Sequence, residues 1–168
     1  MQSPWSHGMK ILDRSDRADV EDARRIFRED LESALSKAIK ALEKDDCRAL
    51  FHGANPSEVL TNIVQGKKYG DIKAKMLKPE GAAQTGRKWW NPLEVRIDIS
   101  MREGSGYWLN LDEEGRGFLL LHELGHVFHR LFDGSDLKDN DTGDSAEAEE
   151  NRKINDKLLS DNCIGRQL

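Results

Sequence analysis

From about Asp19 to Lys44 the apolar residues Val20, Ala23, Phe27, Leu31, Ala34, Leu35, Ala38 and Leu42 recur at helical spacing. Charged residues fill the opposite face and the stretch holds no Pro or Gly, which predicts a long amphipathic helix packed on something larger. Asn55-Pro56-Ser57-Glu58 then combines a capping residue, a proline at the first helical position and an acid in the first turn. The short helix it starts should stop near Gly66. Between 67 and 111 the pattern changes to period two: Leu93, Val95, Ile97 and Ile99 alternate with Glu94, Arg96, Asp98 and Ser100, a half-buried strand. A turn at 102–106 leads to Tyr107-Trp108-Leu109-Asn110-Leu111, read as its hairpin partner, and Ile72 to Leu77 is read as a third strand. After Gly115 and Gly117 a strong helix is expected over Phe118 to Phe132, and a last one over Ser145 to Leu159. Helices, a small mainly antiparallel sheet and two further helices make an α+β fold.

The 168 residues suit one domain with a modest core, preceded by a flexible segment over 1–18. No apolar run approaches the length of a membrane span, so a membrane role is not expected. The start has no apolar stretch of the signal-peptide kind, which leaves the compartment open. A net charge of −5 argues against nucleic acid as the main partner. Acidic residues crowd the stretch from Asp133 to Glu150, which reads as a solvated loop; Asp139-Asn140-Asp141-Thr142-Gly143-Asp144 has only a faint likeness to a calcium loop. Cys47 and Cys163 are compatible with reduced thiols in a cytosolic protein, or with a bridge tying the ends of a secreted one together.

Candidate chemistry lies in His122-Glu123-Leu124-Gly125-His126. Residues four apart share one face of a helix, so both imidazoles can reach a single ion. Glu123, beside them, is placed to act as general base toward a water. The other faces of this helix, Leu120, Leu121, Leu124, Val127, Phe128, Leu131 and Phe132, are apolar. Two histidines and a glutamate on the one polar stripe of a core helix are costly unless strongly partnered, and a metal is such a partner.

Residues 117 to 126, Gly-Phe-Leu-Leu-Leu-His-Glu-Leu-Gly-His, resemble the active-site helix of the zincin superfamily of metallopeptidases. The resemblance implies a zincin-like fold, a zinc cofactor, a peptide or protein substrate, and a sheet whose edge strand holds that substrate extended; Leu93 to Ser100 is the candidate strand. A third ligand is then required. The metzincin subtype would place Gly at 129 and His at 132, where this chain has His129 and Phe132. The gluzincin subtype takes a Glu from a following helix, and Glu147 fits, with Asn151 one turn on to orient an imidazole. Glu150 and Asp144 are competing ligands, and ordinary surface charge on an amphipathic helix is the rival account. Gluzincins also carry a His or Tyr after the third ligand to stabilise the oxyanion, and none follows Glu147. Tyr107 and His129 are the substitutes for oxyanion or substrate contact, with Tyr69 and Arg152 behind them. Two further readings remain alongside the zinc peptidase: a catalytically inactive zincin-like metal-binding module, and a piece of a larger secreted or toxin-like protein.

Overall fold

The computed structural model describes residues 17–79, 81–139 and 144–165. Residues 1–16 of the expected flexible segment, and 140–143 of the acidic loop, lie outside them. Helix α1, Arg17–Leu42, buries Ala23, Leu31, Ala34, Ala38 and Leu42, the stripe expected from periodicity. It is followed by a short helix α2, Asp45–Arg48, and a two-residue strand β1, Phe51–His52. In α3, Pro56–Val64, the Asn55 side chain accepts from the Ser57 and Glu58 amides at 3.0 and 3.3 Å. Both ends of α3 stand where the capping residues put them.

Strands β2 (Gly70–Lys75), β3 (Ala83–Lys88) and β4 (Asn91–Ser100) form one sheet in the order β2-β4-β3. The hairpin partner of β4 is therefore β3, which precedes it, and not 107–111. Gly104 and Gly106 adopt positive φ, and the Asn110 side chain accepts from the Gly104 amide at 2.8 Å, which coils that segment into a 3-10 turn at Trp108–Asn110. Trp108 is fully buried there, with its ring 5.6 Å from Phe27 of α1. Burying an indole between the helices outweighs extending the segment as an exposed strand. The sheet is also mixed, since β2 runs parallel to β4 and only β3 is antiparallel to it. From Val95 to Ile99 β4 is the middle strand with a partner on each side, so that stretch has no open edge. Val95, Ile97 and Ile99 are buried as the alternation requires, whereas Leu93 is 77% exposed, because it precedes the first β2–β4 pair, Gly70 with Val95.

Helix α4, Glu113–Leu131, starts before Phe118 because Asp112 caps it, accepting from the Gly115 amide at 2.8 Å. Gly117 is no helix break. A Cβ there would stand 2.9 Å from Cβ of Lys37 and 3.2 Å from the Ala34 carbonyl oxygen, so its bareness lets α4 cross α1 closely. Strand β5, Gly134–Ser135, pairs antiparallel with β1. Helix α5, Ser145–Asn162, is capped by Asp144 and joined to α2 by a Cys47–Cys163 disulfide. That disulfide is compatible with an extracellular protein, and no helix among the described residues is long and apolar enough to cross a membrane.

Candidate metal centre

Helix α4 is buried nearly all round through Phe118, Leu120, Leu121, Leu124, Val127 and Phe128. Its remaining stripe carries His122, Glu123 and His126, whose ligand atoms lie within 4.8 Å of one another. These three could hold a metal ion. The Nε2 atom of His122 is buried and has no hydrogen-bond partner. Leaving a buried imidazole nitrogen unmatched costs about 1–3 kcal/mol, so its lone pair or proton asks for a partner the protein does not provide. Burial, partly opposed by the neighbouring Glu123 charge, pushes the His122 pKa below its ordinary value and favours the neutral, ligating form. A donor set of imidazoles and carboxylate in such a place suits a divalent metal ion, zinc among them.

Surrounding elements orient the group. Glu123 is only 4% exposed, and the Thr85 hydroxyl on β3 donates to its Oε2 at 2.7 Å. The Asp139 carboxylate stands 3.4 Å from Nδ1 of His126. Asn151 donates to the Asp139 carbonyl at 3.1 Å, so it acts on the histidine by holding the backbone of the residue that faces it. One turn on, Asn155 clamps the same loop: its Oδ1 accepts from the Lys138 amide at 2.6 Å and its Nδ2 donates to the Lys138 carbonyl at 2.9 Å. Gly125 makes room for that loop, because a Cβ there would meet Leu137 at 2.7 Å.

The group opens into a cleft of about 650 Å³ walled by Gln84 and Thr85 of β3 and by Arg152 and Asp156 of α5. Of the acidic candidates on α5, Glu147 is exposed in the first turn and Glu150 is exposed beyond it; neither lines this cleft. Asp144 is taken up as the α5 cap. The structure therefore does not bring Glu147 to the histidines. Asp156 is half-buried on the cleft wall. Burial raises its pKa, while His122 and Arg152 pull it back. The positions α5 buries fully are Asn155 and Leu159, and these set its rotation. The repeat Asn155, Leu159, Cys163 carried that signal, but two of its three members read as polar or redox residues and not as core.

Tyr107 stands on the turn before Trp108 and is not part of the cleft wall, and His129 is hydrogen-bonded through Nε2 to the Leu137 carbonyl. The cationic side chains on the wall are Arg130 and Arg152. Arg152 is held by Glu149, at 2.6 and 3.2 Å, and reaches Asp156 at 3.6 Å. No family model, curated protein or solved structure matches this chain.

Proposed function

We propose that the protein is a zinc-dependent metallopeptidase, with His122 and His126 as ligands and Glu123 as general base. The observation that carries this reading is the buried, unpartnered Nε2 of His122 beside His126 and Glu123 at the floor of an open cleft. Bound zinc would supply Lewis acidity toward a carbonyl and lower the pKa of a water. Glu123 takes the proton from the attacking water and passes it to the leaving amine, and the Thr85 hydroxyl holds its carboxylate in place for both transfers. Strand β3 is the cleft-side edge of the sheet, and its open backbone lays out an extended peptide across Glu123. Arg152 is the donor on the wall suited to negative charge developing on the carbonyl oxygen. For the third ligand, Asp156 is preferred over Glu147, because it shares the cleft with His122 and the two groups interact electrostatically.

A second reading is favoured by one feature: among the described residues the carboxylate close to both histidines is Glu123 itself. If Glu123 ligates the ion, the protein is a metal-binding module without hydrolytic activity. Metal content of the parent, of His122→Ala and of Glu123→Gln separates the two, together with cleavage of a broad peptide library. The peptidase reading expects about one zinc per chain in the parent and in Glu123→Gln, almost none in His122→Ala, and cleavage by the parent alone. Zinc lost from Glu123→Gln, with no cleavage by the parent, establishes the binding module. A parent that takes up no zinc on reconstitution sinks both.

A further inference from the structure

The outer edge of the sheet, away from the histidines, is also open. Among the described residues no strand pairs with β2 on the side opposite β4. Within the β2–β4 ladder the Tyr69 carbonyl accepts from the Val95 amide at 2.9 Å, and the Lys75 carbonyl from the Met101 amide at 2.8 Å. Parallel pairing uses alternate residues of a strand, so Asp71 and Lys73 serve the ladder between those two bonds. The backbone N–H and C=O groups of Ile72 and Ala74 point the other way, into a groove of about 1000 Å³ between β2 and α1.

The floor of that groove is apolar, built from Phe27, Leu31 and Leu35 of α1, Ile63 of α3, and Ile72 and Ala74. Its rim carries Arg24, Arg28, Lys67 and Lys73, all exposed and none ion-paired among the described residues. Two carboxylates line the groove against these four cations, Glu32 and Asp71, and Asp71 is already paired with Lys88 at 3.3 Å. A surplus of positive charge on a chain of net charge −5 is a local feature. Open strand edges are ordinarily blunted by charge or covered; this one carries Lys73 between Ile72 and Ala74, whose apolar side chains stand beside an apolar trough.

We propose that this groove is a second peptide-binding site, which takes an extended acidic segment of a partner protein as an added strand on β2. Backbone groups of the segment pair with Ile72 and Ala74, its apolar side chains settle on the floor, and its acidic ones meet the arginine and lysine rim. The N-terminal stretch of this chain is a poorer match, because Lys10 and Arg14 there balance Asp13 and Asp16. Binding in the groove requires no hydrolysis in the cleft behind β3.

The test uses the full chain carrying Glu123→Gln, so that the probe stays intact whether or not the cleft cleaves peptides. The probe is a fluorescein-labelled eight-residue peptide alternating valine with glutamate, followed by anisotropy. Saturable binding that weakens with salt is expected, together with at least about a tenfold loss of affinity when Arg24→Glu and Arg28→Glu are combined. Methylating alternate backbone nitrogens of the peptide should cost at least about tenfold as well, a change that leaves the protein fold untouched. Absence of saturable binding up to about 200 μM protein overturns the proposal. So does affinity unchanged by either the charge reversal or the methylation. A self-associated chain that dissociates on the same charge reversal, with no binding of the probe, would make a second copy the occupant and overturn it equally.

Discussion

Replacing Asn155 with alanine removes the amide that holds the loop between α4 and α5. Asn155 is 1% exposed and makes two hydrogen bonds to the Lys138 backbone, at 2.6 and 2.9 Å. Each contributes about 1 kcal/mol net, so about 2 kcal/mol is lost with the pair. Alanine is the better helix former by roughly 0.5 kcal/mol, which offsets part of the loss. A small void at a buried position returns about the same amount in the other direction. The net expectation is a destabilisation of about 2 kcal/mol. With an m-value of about 2 kcal/mol/M, the urea midpoint of the metal-free protein falls by about 1 M. The loop also carries Asp139, which faces His126, so zinc affinity at the proposed site should fall by about tenfold as that partner loosens. Asn151→Ala, which removes one bond at a less buried position, serves as the comparison and should shift the midpoint by less than half as much. A midpoint for Asn155→Ala within about 0.2 M of the parent would show that the clamp contributes nothing, and the account of how α5 positions the site would fail.

Three further expectations follow from the packing and the charges. Replacing both cysteines with serine opens a loop spanning a sequence separation of 116, and the chain-entropy argument puts the loss at about 4–5 kcal/mol; a thermal midpoint unchanged from the parent would refute it. Gly117→Ala should destabilise by about 1–2 kcal/mol in urea, despite the higher helix propensity of alanine, because the close atoms on α1 include backbone; a more stable variant would mean that α1 can retreat. His122 is held below its ordinary pKa by burial, so the unfolded chain binds that proton more readily, and stability is lost as pH falls from the ordinary histidine range toward the folded value. The metal-free urea midpoint should accordingly drop more in the parent than in His122→Gln between about pH 7.5 and about pH 5.5, and parallel drops would exclude His122 as the cause.

Local rules acted where one element decides its own form. The apolar stripe of α1, the Asn55-Pro56 start of α3 and the alternation of Val95, Ile97 and Ile99 are properties of consecutive residues, and each was legible in the chain. The spacing of His122, Glu123 and His126 belongs to the same class, because four residues along a helix return to one face whatever surrounds it. Strand β3 was not legible: Ala83-Gln84-Thr85-Gly86-Arg87-Lys88 has no apolar alternation, as suits an edge strand whose place is given by β4 and by Thr85 reaching Glu123. Tyr107 to Leu111 carries strong strand propensity and yet coils, since burial of Trp108 against α1 is a long-range gain that propensity does not register.

Pairing of Cys47 with Cys163 and the rotation of α5 likewise depend on contacts between residues more than a hundred positions, or a whole helix, apart. A helical wheel puts Glu147 and Asn151 on one inward face. The clamp of Asn155 on Lys138 and the burial of Leu159 turn α5 so that Asp156 and Arg152 wall the cleft while Glu147 meets water. Sequence alone determined which residues can ligate from within a single helix. Which carboxylate on another helix joins them is decided by packing, because periodicity determines a face only relative to its own axis, and the core determines where that face points.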